Sequence, residues 1–142
     1  MANPGVFQLF VYGSLRKGFH NPVYEYISDF FTFTGGAKVR GKLFDMGNYL
    51  AGVTTNDDNF IIGELYCANY ENEFPWAIGQ LDDYEGIGPE AGEVQLFRRE
   101  LTEVYINDQT TQAWIYWYNG DVSGRKVITS GDIIQYLSKR ND

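Results

Sequence analysis

The sequence predicts an α+β fold: a small mixed β-sheet or partly closed β-barrel with flanking short helices. Three observations carry this. Strand-like and helix-like stretches follow one another in the order strand, helix, strand, strand, helix, strand, strand, helix. No repeat, low-complexity tract or linker interrupts them, so residues 1–142 form a single domain long enough to bury a real core. Apolar residues make up 44% of the chain and aromatic ones 17%, enough to fill that core and line a pocket.

The elements follow from pattern and punctuation. "VFQLFVY" (6–12) is apolar, β-branched and aromatic, the signature of a buried strand. The loop "GSLRKGFH" leads into "NPVYEYISDFF", where Asn21 is placed to cap a helix and Pro22 to occupy its first position. Val23, Tyr26, Ile27 and Phe30 then recur at helical spacing and give that helix one buried face. Gly35-Gly36 is expected to separate it from "AKVRGKLFDM", whose alternation reads as one half-buried strand. "GNYLAGVTTNDDN" reads as a polar, turn-rich connection. Its acidic cluster lacks the alternating oxygen ligands and glycine of a calcium loop, and is expected to be a solvated turn. "FIIGELYCA" is a strand, with Cys67 expected to be a small buried residue. "ENEFPWAIGQLDDYEG" reads as a second helix closed by Gly86. "EVQLFRRELTEVYI", the turn "NDQT" and "TQAWIYWYNG" form a hairpin. "SGDIIQYLSKR" ends the chain as a short helix, with a Ser130 cap, Asp132 in its first turn and Lys139 and Arg140 in its last.

Composition removes several chemistries. A net charge of −8 repels phosphate backbones, so no nucleic-acid partner is expected. No apolar run reaches membrane-spanning length, and the start "MANPGVFQLFVYG" lacks a basic region and cleavable apolar stretch, so neither a membrane partner nor a secretory signal is expected. One cysteine cannot form an internal disulfide, which suits a cytoplasmic location. With one histidine and one cysteine, a structural zinc site cannot be built. The usual phosphate-binding glycine loops are absent too. No cofactor and no metal are expected; chemistry must rest on carboxylates, hydroxyls and backbone amides.

Two places break the structural pattern. Gly13 and Ser14 stand at the carboxyl end of the first strand, where mixed α/β proteins often open onto a ligand crevice. Glycine lets the backbone approach a ligand, and consecutive N–H groups there can hold an anion. The same residues also suit a plain strand-to-helix turn with Arg16 and Lys17 in solvent. The second break is "LDDYEG", residues 81–86: three carboxylates at a helix C-terminus, where the helix dipole disfavours negative charge. Either they are solvated turn residues, or the surroundings raise the proton affinity of Glu85 and make it a general base.

Taken together, "FVYGSLRKGFHN", "GKLFDMG", "GELY", "LDDYEG", "LFRRELTEV" and "SGD" resemble, in order and over most of the chain, the gamma-glutamylcyclotransferase-like superfamily, which includes the gamma-glutamylamine cyclotransferases and the AIG2-like proteins. The resemblance implies that Tyr12, Gly13, Ser14 and Leu15 hold a gamma-glutamyl head group. It also implies that Glu85 is the catalytic acid/base in closing a small gamma-glutamyl amine or amide to 5-oxoproline. No metal or nucleotide takes part. Two positions depart from the family pattern: Phe97 stands where a tyrosine is common, and Ile133 where a tryptophan is. The alternative is a non-catalytic small-molecule binding module of the same fold. Arg16 is a candidate for attracting the substrate carboxylate, and Tyr116 and Tyr118 for walling the pocket.

Overall fold

The computed structural model describes residues 6–13, 22–47, 50–85, 97–133 and 135–136, with Pro22, Val23, Tyr24, Tyr26, Tyr84 and Glu85 described by their backbone alone. The elements are β1 (Gln8–Val11), α1 (Pro22–Phe30), β2 (Phe31–Arg40), β3 (Lys42–Asp45), β4 (Leu50–Val53), β5 (Phe60–Ala68), α2 (Phe74–Glu85), β6 (Phe97–Ile106), β7 (Gln109–Tyr118) and β8 (Lys126–Val127). A single 3-10 turn, Glu71–Glu73, leads into α2. Five strands close into a barrel in the order β1-β5-β2-β6-β7, and β4-β3-β8 form a second small sheet. The barrel is antiparallel except at its seam, where β1 meets β7 in parallel with Leu9 opposite Trp114.

Strand alternation divides the apolar residues into two cores, because successive side chains point to opposite faces. Phe10, Tyr12, Val39, Ile61, Leu65, Val104, Ile115 and Trp117 belong to the cluster that fills the barrel. The intervening residues Leu9, Val11, Tyr66 and Tyr116 face outward and pack with Ile27 of α1 and Phe74, Ala77, Ile78 and Leu81 of α2. Ile133, at the tryptophan position, is buried in the barrel cluster, so that departure is a change of packing.

The structure corrects four expectations. The helix ends at Phe30, and β2 starts at once and runs through Gly35 and Gly36 with a register shift between Phe33 and Gly35. The glycine pair therefore marks an irregular point inside a strand rather than its beginning. "AKVRGKLFDM" is two strands that turn at Gly41 from the barrel into the second sheet. A Cβ on Gly41 would lie 2.9 Å from both Ile61 Cδ1 and the Val53 carbonyl oxygen, so only glycine fits this corner. The polar connection contains β4, whose Ala51 and Gly52 are buried against the barrel; its Asp57-Asp58 tip is an exposed bend as expected. Cys67 is exposed: it has the inward parity of β5, but lies at the barrel's end.

The hairpin turn is tighter than expected. Asn107 and Asp108 alone connect β6 and β7, with φ of 51° and 63°. Asparagine and aspartate tolerate the left-handed region better than other side chains, and two such residues match the twist of a hairpin. At the chain's end the Tyr136 N–H donates to the Asp132 carbonyl at 2.9 Å, and Ser130 Oγ accepts from the Asp132 N–H at 3.2 Å. The helical turn at the chain's end therefore opens from Asp132 rather than from the expected Ser130 cap, whose hydroxyl closes the turn just ahead of it; residues beyond Tyr136 lie outside the described ones.

Candidate active site

The carboxyl end of β1 is fixed from inside the barrel. The Tyr12 hydroxyl donates to the Tyr116 carbonyl at 2.5 Å, and its ring packs closely against Gly52, where a Cβ would fall 2.7 Å from Tyr12 Cζ. Tyr12 therefore ties β1 to β7 and β4 at the point where the chain leaves the sheet. Gly13 follows, half-buried, with Leu50 of β4 beside it. Ser14, Leu15 and Arg16 lie outside the described residues.

Helix α2 brings its acidic end toward the same rim. Its first residue, Phe74, packs edge-on against Phe7 and Phe31, next to the amino end of β1. Ala77, Ile78 and Leu81 hold it to the barrel wall. One position on, Asp82 receives two guanidinium bonds from Arg99 of β6, at 2.7 and 3.0 Å, and the Tyr116 hydroxyl at 2.8 Å. The Arg99 guanidinium also lies 4.6 Å over the Trp114 ring. This explains how α2 carries acids at its unfavourable end: the cation from β6 neutralises Asp82, and the clamp fixes the helix terminus to β7. Asp83 is exposed. Glu85 is the last residue of α2, three positions beyond Asp82 and so within one helical turn of it; its side chain lies outside the described ones.

Sheet register sets what lies between. Val11 of β1 is paired with Glu64 of β5, which on its other side is paired with Gly36 of β2. Parallel pairing of Leu9 with Trp114 brings Val11 level with Tyr116. On the helix-covered face of the barrel, at the height where β1 ends, the order is thus Tyr116, Val11, Glu64, Gly36. Glu64 is 4% exposed, the one buried charged side chain among the described residues, and its Oε1 accepts from the Tyr66 hydroxyl at 2.9 Å.

Of the residues predicted from sequence, Tyr12, Gly13 and Tyr116 come together at this rim, and the end of α2 reaches it through Asp82. Tyr118 is buried with Met46 and Ala51 beside the second sheet, and Phe97 stacks on it at 5.6 Å. Sequence reasoning did not single out Arg99 or Glu64, and read Asp82 only as one of three acids at the helix end. Glu64 did leave a signal: it interrupts the outward set Ile62, Tyr66, Ala68 of an otherwise apolar strand. Among the described residues, no group of histidine, cysteine and acidic side chains is placed to hold a metal ion. No helix among them is long and apolar enough to cross a membrane.

The five-stranded closed barrel, its small second sheet and its short helical flank define an α+β barrel of the AIG2-like kind. The chain belongs to the family described as gamma-glutamyl cyclotransferase, AIG2-like, whose model matches residues 9–135. The gamma-L-glutamyl-butirosin B gamma-glutamyl cyclotransferase of Niallia circulans is 32% identical over 113 residues, 80% of this chain and 67% of that protein. Among solved structures, YkqA from Bacillus subtilis superposes with a TM-score of 0.66 at 27% identity, covering 94% of this chain and 42% of YkqA, so the chain spans less than half of that protein's length. An AIG2-like protein from Mus musculus shares the fold at a TM-score of 0.57 and 19% identity, over 82% of this chain and 89% of that one.

Proposed function

We propose that the protein is a gamma-glutamyl cyclotransferase that closes a gamma-glutamyl amine or amide to 5-oxoproline and releases the amine. The observation that carries this reading is the meeting of two distant segments, the Tyr12–Gly13 turn and the acidic end of α2, at one rim of the barrel. Family membership over nearly the whole chain supports the reaction class. The relative from Niallia circulans, named for a gamma-L-glutamyl substrate, supports the choice of head group.

A gamma-glutamyl compound carries both nucleophile and electrophile. The α-ammonium first loses a proton to the Glu85 carboxylate, since a protonated amine has no lone pair to attack with. The freed amine adds to the γ-carbonyl, forming the ring C–N bond and placing negative charge on oxygen. Backbone N–H groups of the Gly13–Leu15 turn stabilise that oxyanion or grip the α-carboxylate. The bond to the leaving nitrogen then breaks as Glu85 gives its proton to that nitrogen. The ring nitrogen, which carries two hydrogens after the attack, passes one of them back to the Glu85 carboxylate and from there to the released amine, so that the products are the neutral lactam and an ammonium. Protons and electrons balance within enzyme and substrate. Holding the chain curled for ring closure supplies part of the acceleration, several kcal/mol by the usual value of pre-orientation. Ser14 positions the substrate and is not a nucleophile.

The test is formation of 5-oxoproline from gamma-glutamyl amines. Wild type should turn over, and Glu85→Gln, which keeps size and loses proton transfer, should lose ~10²–10⁴-fold in kcat. Turnover of Glu85→Gln at the wild-type rate removes the mechanism. Binding of gamma-glutamyl amines by wild type without any 5-oxoproline replaces the enzyme by a binding module.

A further inference from the structure

Helix α2 needs only one of its faces to hold the barrel. Phe74, Ala77, Ile78 and Leu81 take that face, and Trp76, two positions after Phe74, is turned to the far side. There its ring meets Phe30, the last residue of α1, edge-on at 5.2 Å. Backbone contacts bring Tyr70 to the same place. The Asn69 N–H donates to the Phe30 carbonyl at 2.9 Å, and the Glu73 N–H donates to the Tyr70 carbonyl at 3.1 Å. The Asn69 side chain also donates to the Asp29 carbonyl at 3.3 Å. Trp76 is 56% exposed and Tyr70 65%, the two most exposed large apolar side chains among the described residues. Rings left in water side by side mark a surface that another molecule covers.

The rim of this aromatic surface is acidic. Glu25 and Asp29 stand one turn apart on α1, and Glu71 and Glu73 belong to the 3-10 turn before α2; Glu73 is half-buried and the other three are exposed. None of the four takes part in an ion pair among the described residues; the ion pairs there involve β2, β3, β6 and the far end of α2. Residues 22–33 and 69–76 contain no lysine, arginine or histidine. A second copy of the chain would set the same negative charges against these, and like charges across a contact cost affinity. An arginine-bearing segment suits both features, because a guanidinium stacks on aromatic faces and pairs with carboxylates. We propose that the end of α1 and the start of α2 form a docking surface for an arginine-rich segment of a partner protein, with Trp76 as its anchor and the acids as its rim. The surface is separate from the proposed catalytic rim: Trp76 and Glu85 lie about 13 Å apart along α2 at the rise of a helix. It stands independently of the cyclotransferase reading.

The test uses a fluorescein-labelled peptide of alternating arginine and leucine, titrated with the full chain and followed by anisotropy. Wild type should bind it. Trp76→Ala leaves the net charge untouched and should weaken binding about 10-fold or more, as loss of an aromatic anchor does. Tyr70→Ala should weaken it several-fold. The Glu71→Gln, Glu73→Gln double variant should also lose several-fold and flatten the salt dependence. Glu103→Gln with Asp108→Asn, the same change of charge on the β6–β7 hairpin, should bind like wild type. Formation of 5-oxoproline should be equal in Trp76→Ala and wild type. If Trp76→Ala loses turnover and peptide together, α2 has unfolded and Tyr70→Ala decides. Failure of wild type to bind the peptide overturns the proposal, as does wild-type binding by both aromatic variants. Equal losses in the two charge variants also overturn it, since the attraction is then a diffuse effect of the net charge of −8. So does equal affinity for a peptide of alternating glutamate and leucine. A self-association in sedimentation that Trp76→Ala abolishes replaces the partner by a second copy. A shift of tryptophan emission on phosphatidylcholine vesicles, absent in Trp76→Ala, replaces it by a bilayer.

Discussion

Replacing Arg99 with methionine tests whether the end of α2 is held by the Asp82 clamp. The substitution removes both guanidinium bonds to Asp82, at 2.7 and 3.0 Å, and leaves that carboxylate with the Tyr116 hydroxyl. Fully exposed ion pairs are worth about 0–1 kcal/mol, while removing one partner of a buried pair costs about 3–5 kcal/mol. The Arg99 and Asp82 side chains are 24% and 17% exposed, which places this pair between those limits. A loss of about 2 kcal/mol is expected, part of it from the ring contact with Trp114, which methionine retains in weaker form. For a domain of this size, that lowers Tm by roughly 6 °C. Chemical denaturation of wild type, Arg99→Met, Asp82→Asn and the double variant gives the pairwise coupling, expected to be at least ~1 kcal/mol for two groups in direct contact. Because Glu85 lies within one turn of Asp82, kcat for 5-oxoproline formation should also fall, about 10-fold, with smaller change in KM. A coupling below about 0.5 kcal/mol refutes the clamp as a stabilising contact. A large coupling with unchanged kcat refutes its role in placing the helix end.

Two further outcomes follow from packing and charge. Gly52→Ala puts a methyl group 2.7 Å from the Tyr12 ring and must displace it from its bond to the Tyr116 carbonyl; melts should show a loss of about 1–3 kcal/mol, with activity falling alongside, and wild-type behaviour would mean that Tyr12 does not fix the turn. Asp57 is held well below the usual carboxylate range, first by the Asn59 side chain, then by the Asn59 backbone N–H, with Lys42 contributing at 3.3 Å. A depressed carboxylate contributes stability that is complete above its unfolded value, about 3.9, and is lost as pH falls through the folded value. Asp57→Asn should therefore be less stable than wild type at neutral pH, with the gap closing below about pH 4; a gap that is the same at every pH sinks this account.

What was legible in the sequence was what local chemistry decides. Pro22 opens α1, the hairpin turns within the expected "NDQT", and the apolar and aromatic runs over β1, β5, β6 and β7 predicted strands that are present. What was hidden depends on contacts between distant segments. Nothing local distinguishes Gly41, which turns the chain from one sheet to another, from Gly35 and Gly36, which lie inside a strand. β4 has four residues with two small ones, and forms because it pairs with β3 and lies on Tyr12. For the proposed site, Gly13 and Glu85 drew notice because they stand at the ends of elements, whereas Tyr12 also serves the barrel core. Arg99 reads as one more charge on an alternating strand. Its meaning appears only when α2 is laid across β6 and β7.

The barrel's two faces differ in what they carry. Aromatic and branched side chains, Phe10, Tyr12 and Trp117 among them, fill the interior. The outer face carries Leu9, Val11, Tyr66 and Tyr116 against α1 and α2. Its composition is set by register. Had β5 paired with β1 one residue out of step, Glu64 would point into the barrel and Leu65 toward the helices, because strand faces alternate with a period of two. Gly63 enforces the observed register sterically: a Cβ there would fall 2.3 Å from the Val11 carbonyl oxygen, so only glycine permits this approach of the two strands. The residue that lets β1 and β5 close is thus the immediate neighbour of the buried acid. "GELY" encodes one physical arrangement, in which a missing side chain brings the strands together and the next carboxylate is delivered beside the turn.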